Sequence, residues 1–96
     1  MSYKSQIKVV EGKTDKKIIL FTLSTCIWCR KTKVLLKELG VGYQYIDVDL
    51  LDKTDQNEAY KEMAKYKSSS FPTIVFNEGE KVIEGYEEEE IKGMCV

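Results

Sequence analysis

Lys16-Lys17-Ile18-Ile19-Leu20-Phe21-Thr22-Leu23-Ser24-Thr25-Cys26-Ile27-Trp28-Cys29 decides the fold of this chain. Ile18 to Leu23 is apolar almost without interruption, the pattern of a strand covered on both faces, as in a parallel sheet. Ser24-Thr25 offers a helix-capping residue. Beyond it, Val34, Leu35, Leu36 and Leu39 recur at helical spacing, so a helix is expected to about Leu39, with Lys37 in its last turn and Gly40 as its left-handed stop. Cys26 and Cys29 therefore fall at the N-terminal end of a helix, where unpaired N–H groups and the helix dipole favour an anion. A thiolate is the nucleophile in disulfide exchange, so the pair is expected to cycle between dithiol and disulfide.

Outward from this segment, Tyr43-Gln44-Tyr45-Ile46-Asp47-Val48 is β-rich and reads as the next strand. Strand, helix and strand at this spacing form a right-handed βαβ unit with parallel strands. Asp49 to Asp55 is a polar connection, and Gln56 to Tyr66 carries Ala59, Tyr60, Met63 and Ala64 at helical spacing. Ser68-Ser69-Ser70 breaks that helix, and Phe71-Pro72 opens a third strand, Thr73 to Phe76. Asn77-Glu78-Gly79-Glu80 is a turn, after which Lys81 to Glu84 returns antiparallel. Glu87 to Met94 reads as a last short helix, acidic at its N-terminal end. Residues 1–15 form an N-terminal extension in which Ile7, Val9 and Val10 allow an edge strand ending at Gly12 or a loosely held arm. Residues 16–96 form the main domain.

Composition limits the chemistry. At 96 residues and 43% apolar content there is one domain and one core. A net charge of -1 gives no general electrostatic case for nucleic acid or an anionic membrane. Met1-Ser2-Tyr3-Lys4 leads into no hydrophobic signal region and the apolar runs are strand-length, so a cytoplasmic location is expected. Such a compartment is reducing, which argues against a permanent structural disulfide. The chain has no histidine, which removes Cys-His dyads and histidine-bearing zinc sites, and its three cysteines fall short of a four-thiolate site. No metal ligands are assigned. The bland readings of the pair are half a zinc knuckle, two core thiols, or a redox-sensing or metal-clip binding module. Cys95 reads as a spare thiol, and Tyr43 and Tyr45 as sheet packing.

A C-x-x-C at the first helix of a βαβ half, then an αββα half entered through Phe71-Pro72-Thr73 and closed by Gly85, resembles the glutaredoxin family of the thioredoxin-fold superfamily. The likeness covers about residues 16–94. It implies an α/β thioredoxin fold in minimal glutaredoxin form, βαβ-αββα, with a four-stranded mixed sheet flanked by helices and room for an extra N-terminal strand. It also implies that Pro72 is cis and faces the cysteines. Thr25, Ile27, Trp28, Arg30, Phe71, Pro72, Gly85 and Tyr86 then surround the catalytic Cys26 and Cys29. On that likeness Cys26 is the nucleophile and Cys29, shielded one turn in, the resolving thiol. Arg30, Lys31 and Lys33 add positive potential, a secondary contribution while they stay solvated.

This chain departs from glutathione-using members at three places. They carry a lysine three residues before the first cysteine, where this chain has Leu23. They commonly read C-P-Y-C, against Cys26-Ile27-Trp28-Cys29 here. After the hairpin they show a glycine pair and an aspartate, against Glu84-Gly85-Tyr86-Glu87-Glu88-Glu89-Glu90. The Gly85-Tyr86 step is closer to the glutaredoxin-like NrdH-redoxins, which take electrons from a protein reductase. The resemblance thus implies a monomeric thiol-disulfide oxidoreductase with no bound cofactor. It would reduce protein disulfides and be recharged by a flavin- or ferredoxin-linked reductase, with glutathione left open as an alternative co-substrate.

Overall fold

The computed structural model describes residues 3–13 and 16–95. The remaining residues of the expected N-terminal extension (1, 2, 14 and 15) and residue 96 lie outside the described residues. A 3₁₀ turn at Tyr3–Gln6 precedes β1 (Lys8–Val10), β2 (Ile18–Thr22), α1 (Ile27–Glu38), β3 (Tyr43–Asp47), α2 (Lys53–Lys65), β4 (Thr73–Phe76), β5 (Lys81–Glu84) and α3 (Glu88–Cys95). The five strands make one sheet in the order β1-β3-β2-β4-β5. β2 and β3 run parallel, whereas the β1–β3, β2–β4 and β4–β5 pairs are antiparallel.

The expected βαβ and αββα halves are therefore present, and the N-terminal segment supplies a fifth strand rather than a loose arm. β1 pairs with β3 through Lys8–Tyr45, Val9–Gln44 and Val10–Tyr43. Behind it Gly12 lies so close to Val41 and Gly42 that a Cβ would collide with their main-chain atoms. Only glycine permits that approach. Further upstream, Tyr3 is buried against Phe21, with ring centroids 6.2 Å apart.

Strand alternation sends successive side chains to opposite faces, so the central β2 feeds both cores. Ile18 and Leu20 join Leu35, Leu36, Ile74, Phe76, Ile83 and Ile91 beneath α1 and α3. Phe21 joins Tyr3, Ile46, Val48, Ala59, Met63 and Val75 on the α2 side. Both faces of β2 are covered, as its continuous apolar run implies.

The helix faces differ from the expectation in detail. Leu35 and Leu36 are buried with Cys29 and Thr32, whereas Val34 is exposed. α2 begins at Lys53 rather than Gln56, because Asp52 caps it by accepting from Asp55 N at 2.8 Å. It buries Ala59 and Met63, and leaves Ala64 and Tyr60 outside. The cap of α1 is likewise displaced: Cys26 itself is the N-cap, not Ser24 or Thr25. Ser24 instead donates its main-chain N–H and its hydroxyl to the Asp49 carboxylate, at 2.8 and 2.5 Å. Hydrogen bonds to an ionised carboxylate are stronger than neutral ones, and these two hold the turn before Cys26.

Candidate active site

β2 delivers the chain to the C-terminal edge of the sheet, and α1 starts there, so the cysteines stand at a strand-to-helix junction. Cys26 Sγ accepts a hydrogen bond from Cys29 N at 3.1 Å, filling the capping role normally taken by an oxygen. Cys26 is half-buried, while Cys29 is fully buried one turn into the helix. Both are free thiols. Burial pushes the Cys29 thiol up to about 12, and its contact with Cys26 adds to the rise. A main-chain hydrogen bond at Leu23, and more weakly the Lys33 ammonium, pull in the other direction. The two sulfurs thus differ in access and in environment.

Of the neighbours expected from sequence, Trp28, Phe71, Gly85 and Tyr86 converge. They line one open cleft of about 190 Å³. Trp28 and Tyr86 stack at 5.7 Å between centroids, and Lys31 Nζ lies 4.7 Å from the Trp28 ring centroid. The Phe71–Pro72 bond is cis. The Pro72 carbonyl accepts from Gly85 N at 2.8 Å, tying the loop before β4 to the exit of β5. Gly85 has a φ of 83°, a left-handed conformation that turns Tyr86 back over Trp28. Ile27 and Arg30 are exposed on the first turns of α1, and Thr25 is exposed in the preceding turn. These three do not line the aromatic cleft.

Two further features adjoin these residues. Tyr60 packs edge-on against Phe71, with centroids 6.2 Å apart, which extends the aromatic surface onto α2. Its place among apparent core positions of a helix gave no signal of this. The other is polar. Asp47, at the end of β3, lies 2.6 Å from Thr22 Oγ1 and 3.5 Å from Lys33 Nζ. Lys33 also lies over the Tyr45 ring at 3.9 Å. The charge of Lys33 was legible in the sequence, but its pairing with β3 depends on the parallel register that sets Thr22 opposite Asp47. The Asp49 carboxyl is held below its usual range, chiefly by the Ser24 hydroxyl.

Among the described residues, no group of three or more cysteine or carboxylate side chains converges as a metal site. No helix among them is long and apolar enough to cross a membrane.

A mixed sheet with this strand order, a cysteine pair at the first helix and a cis proline opening the third strand of the core define a thioredoxin-fold protein. The glutaredoxin family model matches residues 18–81. The chain belongs to the glutaredoxin family. Its structure is similar to a glutaredoxin from Methanosarcina mazei, with 42% identity, 93% of this chain and 86% of that one covered, and a TM-score of 0.83. It is also similar to methanoredoxin from Methanosarcina acetivorans, at 42% identity, 88% coverage of both chains and a TM-score of 0.82. A curated relative is an uncharacterized glutaredoxin-like 8.6 kDa protein in the rubredoxin operon of Clostridium pasteurianum. It is 31% identical over 74 residues, 77% of this chain and 91% of that protein. Family and fold together point to thiol-disulfide oxidoreductase chemistry.

Proposed function

We propose that this protein reduces protein disulfides through a reversible Cys26–Cys29 disulfide and is recharged by a protein reductase. One observation carries the reading: the accessible Cys26 sulfur caps α1 and is backed, one turn behind, by the buried Cys29 thiol. The Cys26 thiolate attacks one sulfur of the target disulfide, forming a mixed disulfide and releasing the other target sulfur as a thiolate. Cys29 then gives up its proton and attacks Cys26 Sγ. The Cys26–Cys29 bond forms, the second target thiolate leaves, and two electrons have passed to the target. Attachment of the target at Cys26 removes the neighbouring thiol's own contribution to the raised Cys29 value, which favours the second step.

The cleft of Trp28, Phe71, Gly85 and Tyr86, extended by Tyr60, suits the apolar side chains of an extended segment of the target. The main chain around Pro72 offers polar groups to the same segment. Thr25, Ile27 and Arg30 form the outer rim of this surface.

The donor is a flavin- or ferredoxin-linked protein reductase rather than glutathione. Leu23 supplies no cation, and Glu87, Glu88, Glu89 and Glu90 follow the aromatic step. Glutathione is anionic, so both features weaken its binding. The location of the Clostridium relative in a rubredoxin operon agrees with an electron-carrier setting. A reducing compartment such as the cytoplasm suits this cycle, with the chain acting as a monomer.

A redox titration in glutathione buffers, read by intact mass after acid quench, tests the reading. A two-proton loss of mass with no glutathione adduct is expected. An adduct on Cys26 would transfer the donor role to glutathione. Absence of any intramolecular disulfide at every ratio would remove the oxidoreductase reading itself.

A further inference from the structure

Lys33 is four residues beyond Cys29 on α1, and side chains at that spacing share one helix face. Helical side chains lean toward the N-terminus, so the Lys33 stem runs back toward the turn that carries Cys29. Its ammonium is not a solvated surface charge. The Lys33 and Asp47 side chains keep only 23% and 15% of their exposure, and the two groups lie 3.5 Å apart. The Tyr45 ring, 3.9 Å from the ammonium, closes another side. Asp47 is in turn held by Thr22 Oγ1, which lies 2.6 Å from its carboxylate and 3.0 Å from the Ile46 carbonyl. Strand register, a hydroxyl, a carboxylate and an aromatic face thus hold one cation on the α1 face that also carries Cys29.

Resting on the oxidoreductase reading above, we propose that Lys33 is a positioning residue for the second half of the exchange, its fixed positive charge promoting proton loss from Cys29 when that thiol attacks the mixed disulfide. A charge in a partly buried setting acts more strongly than one in bulk water, because the local dielectric is lower. The Lys33 ammonium already acts on Cys29 in this direction, against the burial that holds its proton on. The same charge contributes, after the Ser24 hydrogen bonds, to holding the Asp49 carboxyl below its usual range. The titratable and charged groups around this arrangement are Cys26 at the N-cap of α1, Cys29 and Lys33 on α1, Tyr45 and Asp47 on β3, and Asp49 just after β3. Lys31, whose ammonium is spent on the Trp28 ring, stands apart from it.

The reaction of the reduced protein with Ellman's disulfide isolates the step. Cys26 thiolate attacks one sulfur of the reagent and releases a first thionitrobenzoate, leaving a mixed disulfide. Cys29, on losing its proton, attacks Cys26 Sγ and releases the second, so one dithiol is oxidised and one reagent disulfide is reduced to two thiolates. In a Cys95→Ser background, stopped-flow absorbance resolves the two releases as separate phases.

Lys33→Met keeps an aliphatic stem against Tyr45 and removes the charge. The second phase is expected to slow about tenfold near neutral pH, with its pH midpoint raised by about one unit, since one unit is a tenfold change in the reacting fraction. The first phase should change less, and Lys33→Arg should restore the second. Lys37→Met, the same charge removed one turn further along α1, should leave both phases alone. Should Lys33→Met fail to fold, Lys33→Gln gives the same comparison, and each variant carries its first phase as an internal standard of folding. Equal second phases in wild type and the uncharged variants would overturn the assignment. Failure of the wild type to release a second thionitrobenzoate would instead overturn the oxidoreductase reading on which it rests.

Discussion

Trp28 and Tyr86 stack with centroids 5.7 Å and planes 28° apart, joining the turn between the cysteines to the loop that follows β5. Trp28 is 51% exposed, so this stack sits on the surface and shapes it rather than filling a core. Its two members lie 58 positions apart in the sequence, and only the folded sheet brings them together.

Tyr86→Ala should therefore act on recognition more than on stability. An aromatic pair contributes about 0.5–1.5 kcal/mol beyond its buried area. If the stack presents the cleft to a target, kcat/KM for a protein disulfide should fall roughly two- to tenfold. Reaction with a small, unhindered disulfide should be nearly unchanged. Trp28 is the sole tryptophan, so its emission reports loss of the stack directly. Unchanged emission together with unchanged kinetics on both substrates would remove the cleft from the recognition surface.

Alkaline pH should destabilise the reduced protein in a defined window. Cys29 is raised from an ordinary value of 9.0 to about 12, first by burial. Tyr3 is raised from 10.0 to about 12, again first by burial and then by the Glu62 charge. Both groups hold their proton more tightly folded than unfolded. The stability linked to this is fully present below the unfolded values and is lost as pH rises through the folded ones. Urea midpoints of the reduced protein should thus fall steadily from about pH 9 toward about pH 12. Cys29→Ser and Tyr3→Phe should each flatten part of that fall, and a decline equally steep in both variants would exclude these groups as its source.

Much of this was legible in the chain because it is local. The apolar run Ile18 to Leu23, the C-x-x-C after it and the Phe71-Pro72-Thr73 entry each carry their meaning within a few residues. The strand–helix–strand unit and the hairpin follow from periodicity and turn chemistry alone. What escaped was set by partners distant in sequence. Ser24 looks like a helix cap, but Asp49 claims it, and the cap passes to the Cys26 sulfur. Tyr60 looks like a core position, but Phe71 draws it to the site. Lys33 looks like one of several solvated cations, yet β3 register places Asp47 beside it.

Tyr3 is the case with the largest energetic consequence. It lies ahead of the family match at residues 18–81, yet it is buried with Phe21, Ile46 and Met63. Truncating a buried aromatic side chain to alanine typically costs about 3–5 kcal/mol. Tyr3→Ala should cost near the lower end of that range, about 3 kcal/mol, because the short 3₁₀ turn that carries it can relax into the space left. Chemical denaturation would show a lower midpoint with little change in slope. A loss under about 1 kcal/mol would mean that the N-terminal turn is detachable.

The polar support of the loop before β4 gives the sharpest structural test. Thr73 Oγ1 lies 2.5 Å from Ser68 Oγ and 2.5 Å from the Ser70 carbonyl, and Ser68 and Thr73 are both buried. One hydroxyl thus fastens the three-serine segment directly behind Phe71 and Pro72. Thr73→Val keeps the shape and removes both hydrogen bonds. It leaves the Ser68 hydroxyl and the Ser70 carbonyl without this partner, which costs about 1–3 kcal/mol when such groups are buried. Because Pro72 is the adjacent residue and its carbonyl holds Gly85 N, the displacement should pass to the aromatic cleft. Turnover of protein disulfides should fall along with stability. Thr73→Ser restores the hydroxyl and gives up only a methyl group, so it should recover the activity while keeping a small stability deficit. Were Thr73→Ser as inactive as Thr73→Val, the methyl packing rather than the hydrogen bonds would be what positions the loop.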